Sequence, residues 1–191
     1  LGAALAEKLI AITEVSQGGS VPEVRVVNKG DRPVLLLDGE ELAGAKQNRV
    51  LNATILVASL SETIVDVSCT ERGRWHHVSK EFNDSDVVMA RGIRAGKNRA
   101  VLQSLKAGRS FQADQGAIWD SIDELADRES VSSPTGAMRD VFAAKRANLE
   151  ELVSAFQRLD GQRGLIFVVD RAVAGMDLVS RPEAYAELHS K

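Results

Sequence analysis

Cysteine occurs only once, at Cys69, so the chain cannot form a disulfide within itself. That suits a reducing compartment, and a cytoplasmic location is the expectation. Aromatic residues make up 4% of the sequence, too few to interleave with basic side chains as a nucleic-acid platform would need. No run approaches the roughly 18 continuous apolar residues of a membrane span, and no signal-peptide pattern opens the stretch. It begins at Leu1 rather than Met and stops at Lys191 inside a helical pattern, so residues are expected to be missing at both ends. A net charge of -3 and a pI near 5.7 exclude a global pull toward polyanions.

What is present is ordinary globular composition, with 44% hydrophobic and 27% charged residues over 191 positions. A chain of this size buries roughly 70% of its unfolded surface, enough for a real core. We expect a single α+β domain spanning 1–191. Residues 2–8 favour a short helix, and Ile10, Ile12 and Val15 suggest a strand. "SQGGSVP" reads as a turn through Gly18 and Gly19. "EVRVVN", "VLLLDGEEL", "VLNATILVA" and "TIVDVSC" read as strands, with "HHVSKEF" as a short edge strand. Close spacing makes antiparallel pairing the economical choice for this N-terminal half. A helical block follows over 86–107, 115–128 and 134–159, the last buried through Met138, Val141, Phe142, Leu149, Leu152, Val153, Phe156 and Leu159. "LIFVVD" and "AVAGMDLV" read as a late β-hairpin that rejoins the sheet, and "RPEAYAEL" begins a C-terminal helix.

Four stretches could carry chemistry. In "LLLDGEELAGAKQNRVL", residues 35–51, a two-residue turn at Ala43–Gly44 would set Glu41 opposite Lys46 and Asp38 opposite Arg49. Leu37 would then face Val50 and Leu36 would face Leu51. The region reads as a salt-bridged hairpin end, or as a site where clustered carboxylates act as bases and Lys46 and Arg49 hold an anion. In "SCTERGRWHH", the arginine spacing is not that of a phosphatase loop, and a buried thiol at a strand end is favoured for Cys69. Zinc on Cys69, His76 and His77 is disfavoured, because adjacent strand residues point to opposite faces. "VSSPTGAM" opens the strongest helix, with Ser133 as N-cap and Pro134 in the first turn. Its free amides could hold an anion. Arg91, Arg94, Lys97, Arg99, Lys106 and Arg109 have no acid among them; they read as a solvated helix face or an acidic-partner surface, ahead of nucleic acid.

Taken together, "VPEVRVVNKGDRPVLLLDGEELAGAKQNRVLNATILV", "VSCTERGRW", "DQGAIWD", "VSSPTGAMRDVF" and "GMDLVSRPEAY" resemble the prokaryotic ARG and rhodanese-phosphatase-superfamily-associated protein domain. ARG there stands for ADP-ribosylglycohydrolase. The resemblance covers nearly the whole chain and implies a role near NAD or ADP-ribose metabolism, without fixing a reaction. It raises the matched positions as site candidates. Glu40, Glu41 and Lys46 are the candidate catalytic groups. Gln47, Asn48, Arg49, Glu71, Arg74, Trp75, Ser132, Ser133, Thr135 and Gly136 are the candidate ligand- and anion-binding ones. The expected partner is a small phosphorylated or nucleotide-like ligand. The alternative is a non-catalytic module that docks onto a partner enzyme. No cofactor is assigned and no metal is expected.

Overall fold

The computed structural model describes residues 1–16 and 22–191, so Gly18 and Gly19 lie outside the described residues. The chain divides into two compact units, Leu1–Ala143 and Ala144–Lys191.

The first unit is built on α1 (Gly2–Ala6) and eight strands: β1 (Ile10–Glu14), β2 (Glu23–Asn28), β3 (Val34–Leu36), β4 (Glu40–Gly44), β5 (Arg49–Leu51), β6 (Ile55–Val57), β7 (Ser61–Cys69) and β8 (Phe82–Val88). Six of them form one antiparallel sheet in the order β1-β2-β7-β5-β4-β8. A bridge between Thr13 and Glu81 joins the two edges and curls the sheet toward a barrel. The antiparallel, β-rich first half is therefore as expected.

Two expected strands are broken. "VLLLDGEEL" divides at Leu37–Gly39, where Gly39 takes φ +86. There the Glu40 amide donates to the Leu37 carbonyl at 3.1 Å. "VLNATILVA" divides between β5 and β6. As a result β3 pairs with β6 in a separate two-stranded sheet, with Leu36 opposite Ile55 rather than Leu51. β4 pairs with β5, setting Glu41 opposite Val50 and Leu42 opposite Arg49. The expected two-residue turn is thus replaced by a longer loop, and Glu41 does not face Lys46. Gly44 (φ +124) and Ala45 (φ +42) set the loop's path. The Gly44 amide closes it onto Asn48 Oδ1 at 3.1 Å. The register moves by an even number of residues, so every side chain keeps its face.

That alternation sorts the strands into two layers. Ile10, Ile12, Val24, Val26, Leu42, Leu51, Val65, Val67 and Phe82 form the inner cluster, joined by Leu36 and Val57. Val50, Val87 and Met89 face outward. They pack against Ile93 of α2 (Arg91–Lys106), against Ile118, Ile122 and Leu125 of α3 (Gln115–Glu129), and against Met138 and Val141 of α4 (Met138–Ala144). Val87 and Val88, expected in a helix, end β8, and the segment expected as an edge strand before Phe82 is a loop.

The long helix expected over 134–159 is two helices, α4 and α5 (Arg146–Ala155), divided at Lys145. Leu149, Leu152, Phe156 and Leu159, expected in the core, are exposed. The second unit continues with β9 (Gly164–Val169), β10 (Ala172–Leu178) and α6 (Pro182–Leu188). Its hairpin pairs only with itself among the described residues and does not rejoin the first sheet. Asp170 and Arg171, both at positive φ, form a tight two-residue turn that satisfies each strand locally. No helix of the described residues is long and apolar enough to cross a membrane.

Candidate functional site

Glu71 is the knot that draws the family-like stretches together. Its carboxylate accepts from Arg74 Nη2 at 2.6 Å, from Thr135 Oγ1 at 2.9 Å and from the Asn48 amide at 3.2 Å. Its backbone bridges to Ala137, and its carbonyl accepts from Gln47 Nε2 at 3.0 Å. Burial alone would raise this carboxyl, but the three donors hold it below the ordinary carboxylate range. Arg74 also donates to the carbonyls of Ala45 (2.8 Å), His76 (3.1 Å) and Gly44 (3.2 Å), and to Asn48 Oδ1 at 3.2 Å. It therefore braces the 44–48 loop from within. Gln115, the first residue of α3, clamps the end of β7 by taking the Cys69 amide at 2.7 Å and donating to its carbonyl at 2.9 Å.

Gly73 permits the meeting. A Cβ there would lie 3.0 Å from both Cα and O of Thr135. Gly73→Ala is expected to cost about 1–3 kcal/mol by forcing the 132–136 segment away. Thermal unfolding checks this, and a change below about 0.5 kcal/mol, the size of an ordinary surface substitution, would contradict it.

The helix start at 133–138 is bonded inside the protein. Ala137 donates to Ser133 Oγ at 2.9 Å, Gly136 to the Ser133 carbonyl at 3.4 Å, and Met138 to the Thr70 carbonyl at 2.9 Å. Ser133 is therefore not the N-cap and Pro134 not a first-turn residue: the helix begins at Met138, after the positive-φ turn at Gly136, and Ser133 Oγ braces that turn through the Ala137 amide. Ser132 is exposed.

The charged side chains of 38–49 all find partners other than those expected. Asp38 is paired with Lys97, an ion pair beyond the reach of local spacing. Lys97 is therefore buried rather than part of a solvated basic face, and its ammonium also reaches the Asn52 carbonyl at 3.2 Å. Glu40 Oε2 takes the Leu37 amide at 2.9 Å and holds the turn before β4. Glu41 faces the outer layer, where Thr70 donates to Oε1 at 2.5 Å and Oε2 has no hydrogen-bond partner. Burial pushes its carboxyl up to about 7, against the opposing pull of Thr70, Ser85 and Arg139. That basicity suits a general acid or base, but the group is fully enclosed.

Arg49 faces inward at the end of the barrel. Its Nη1 donates to Gln47 Oε1 at 2.9 Å and to the Cys69 sulfur. Cys69 in turn donates to Gln47 Oε1 at 2.6 Å. Burial pushes the Cys69 thiol up, although the neighbouring guanidinium opposes it, so the residue is a buried thiol at a strand end rather than a poised nucleophile. Arg49 is fully buried, yet Nε and Nη2 make no hydrogen bond, and Glu14 Oε1 stands 3.8 Å from Nη2. Above it lies the half-exposed Trp75 ring, with Arg49 Cζ 5.8 Å and Lys46 Nζ 5.2 Å from its centroid. Beside this runs an open cleft of about 650 Å³ lined by Glu14, Ser16, His77, Val78, Ser79 and Lys80. Glu14 is common to both, and Lys46 donates its amide to Glu14 Oε1 at 3.4 Å.

Two layers of candidates emerge. Gln47, Asn48, Glu71, Arg74 and Thr135 meet around one carboxylate and are held by one another. Lys46, Arg49 and Trp75 meet at the barrel mouth, while Glu40 and Glu41 point elsewhere. Glu14, Lys80 and Gln115 are not among the sequence candidates, and His77 enters there only as a disfavoured zinc ligand. Glu14 had a signal: it continues the Ile10, Ile12 alternation, a charge on an otherwise apolar inward face. A model of the family described as ARG and Rhodanese-Phosphatase-superfamily-associated Protein domain matches residues 1–191, and the chain belongs to that family. No curated protein and no solved structure matches it.

Proposed function

We propose that this member of the ARG and Rhodanese-Phosphatase-superfamily-associated Protein domain family is a binding domain or enzyme for a small phosphorylated, nucleotide-like ligand, taken at the mouth of the barrel. The observation that carries the reading is Arg49, a fully buried guanidinium with two nitrogens lacking hydrogen bonds beneath an exposed tryptophan. The Glu14 carboxylate 3.8 Å away balances the charge of Arg49 but leaves two of its nitrogens without a hydrogen bond, a costly arrangement for buried donors. Trp75 offers a face on which a base or ribose can stack, and Lys46, His77 and Lys80 surround the approach with donors. The family description, with its reference to ARG proteins, directs the choice of ligand toward ADP-ribose and related nucleotides. Lys46 is the phosphate contact in this reading, Arg49 adds its positive field from beneath the Trp75 ring, and Glu14 is a hydroxyl acceptor. The mutually bonded Glu71–Arg74 group gives the loop its rigidity.

Isothermal titration against ADP-ribose, NAD, AMP and inorganic phosphate tests it. Binding by at least one nucleotide is expected, weakened about tenfold or more in Trp75→Ala because base stacking contributes roughly 1–3 kcal/mol. Absence of heat with all four ligands at about 1 mM, an affinity limit near -4 kcal/mol, would overturn the reading.

A second reading, a non-catalytic module that docks onto a partner enzyme, is supported by α2. Leu102 and Leu105 are exposed there among Arg99, Lys106 and Arg109, a surface suited to an acidic protein.

A further inference from the structure

Both faces of the β9-β10 hairpin are largely apolar: one carries Leu165, Phe167 (44% exposed) and Val169 (59% exposed) beside Asp177, and the other is free of charge. Opposed residues share a face, and the pairs Val173–Val168, Met176–Ile166 and Leu178–Gly164 lie on the same side, with the register shift falling between Val173 and Gly175. One face therefore carries Ile166, Val168, Val173, Met176 and Leu178 in a continuous stripe without a polar side chain. Those five side chains are 60%, 60%, 70%, 64% and 71% exposed. Asp177, the hairpin's charged strand residue, lies on the other face opposite Leu165. Such a stripe on a hairpin that pairs only with itself among the described residues is unusual, because a two-stranded sheet is at best marginally stable in water by itself.

From this geometry we infer that the stripe packs face to face on the same stripe of a second copy, so that the protein forms a two-fold symmetric dimer through its second unit. Three observations select a second copy over a foreign partner. First, the stripe is apolar and uncharged. It is thus complementary to itself under a two-fold axis and offers no charge pattern to select another protein. Second, residues 144–191 hold seven Lys or Arg and seven Asp or Glu, so two such units bring no net repulsion to the contact. Third, the area fits. The five exposed side chains supply on the order of 500 Å² of apolar surface per copy, and a standard interface of about 800 Å² per partner with a homodimer's apolar share of about 65% requires the same. The product is a pair of two-stranded layers about 10 Å apart, in which each hairpin covers the other.

The inference rests on the second unit alone and is independent of the ligand reading. Sedimentation velocity of the full chain up to about 100 µM is expected to show a reversible dimer with an affinity in the micromolar range. Val168→Lys, placing a charge in the middle of the stripe, is expected to give a monomer. The unfolding of the first unit, followed by Trp75 and Trp119 fluorescence, should stay unchanged. A second readout avoids any burden on folding. Cys69 is buried and is the only native thiol, so the introduced thiol of Val168→Cys reports alone. Its maleimide labelling rate is expected to fall as protein concentration rises. A wild-type monomer throughout the range, labelling that ignores concentration, or a dimer that persists in Val168→Lys would each overturn the inference.

Discussion

Arg74→Ala is expected to destabilise the first unit by about 3–5 kcal/mol, the usual cost of removing one partner from a buried ion pair. The side chains of Arg74 and Glu71 are 8% and 7% exposed, so solvent cannot take over what the guanidinium leaves. Five acceptors each lose a donor at once: Glu71, Asn48 and the carbonyls of Gly44, Ala45 and His76. Arg74→Lys is expected to recover little, because an ammonium cannot span acceptors that a planar fork reaches together. Urea unfolding followed by tryptophan fluorescence measures the effect, since both tryptophans lie in the first unit. The pH dependence gives an independent check. Glu71 is held below its ordinary value of 4.5 in the folded state. Its contribution is therefore present above pH 4.5 and is lost as pH falls through the folded value. In Arg74→Ala this acid-side loss is expected to shrink, because only Thr135 and the Asn48 amide still hold the carboxyl down. An alanine variant within about 1 kcal/mol of the wild type would show that the brace is redundant.

Glu41→Gln is expected to have the opposite sign. The carboxyl titrates at about 7 in the folded protein against an ordinary 4.5. With the folded value raised, the unfolded state releases its proton first as pH rises. Glu41 therefore lowers stability progressively between pH 4.5 and 7, and the difference saturates at about 3 kcal/mol above that. Glutamine keeps an oxygen for Thr70 and removes the buried charge. The variant should match the wild type at pH 4 and exceed it by about 2–3 kcal/mol at pH 8. This window lies above that of Glu71, so denaturation curves across the pH range separate the two carboxyls. Parallel stability profiles for wild type and Glu41→Gln would show that the enclosed carboxyl does not titrate as described.

Much of the architecture is legible locally. Runs rich in β-branched residues mark β1, β2 and β7 as strands, because that preference depends only on local sequence. The family-like stretches single out 40–49, 71–75 and 132–136, and these do converge on Glu71. The helical rhythm of 134–159 shows what periodicity leaves open. It has the right period, yet periodicity says which residues share a face and not whether anything covers it. Leu149, Leu152 and Phe156 share a face that is exposed.

Pairing is another matter. The charges of residues 38–49 could satisfy one another across a tight turn, and locally nothing forbids it. In the folded chain Asp38 reaches Lys97 on α2, Arg49 turns inward to Glu14 on β1, and Glu41 meets Thr70 at the end of β7. Each choice is made between elements far apart in sequence. It depends on a loop closed through Gly44 and Asn48 and on a sheet whose edges meet at Thr13 and Glu81. The sequence by itself determined the fold class, most of the strands and helices, and the family. Only the tertiary structure decided which charges pair and which guanidinium is left with unused donors, because burial changes the cost of an unpartnered charge and no local pattern encodes what will bury it.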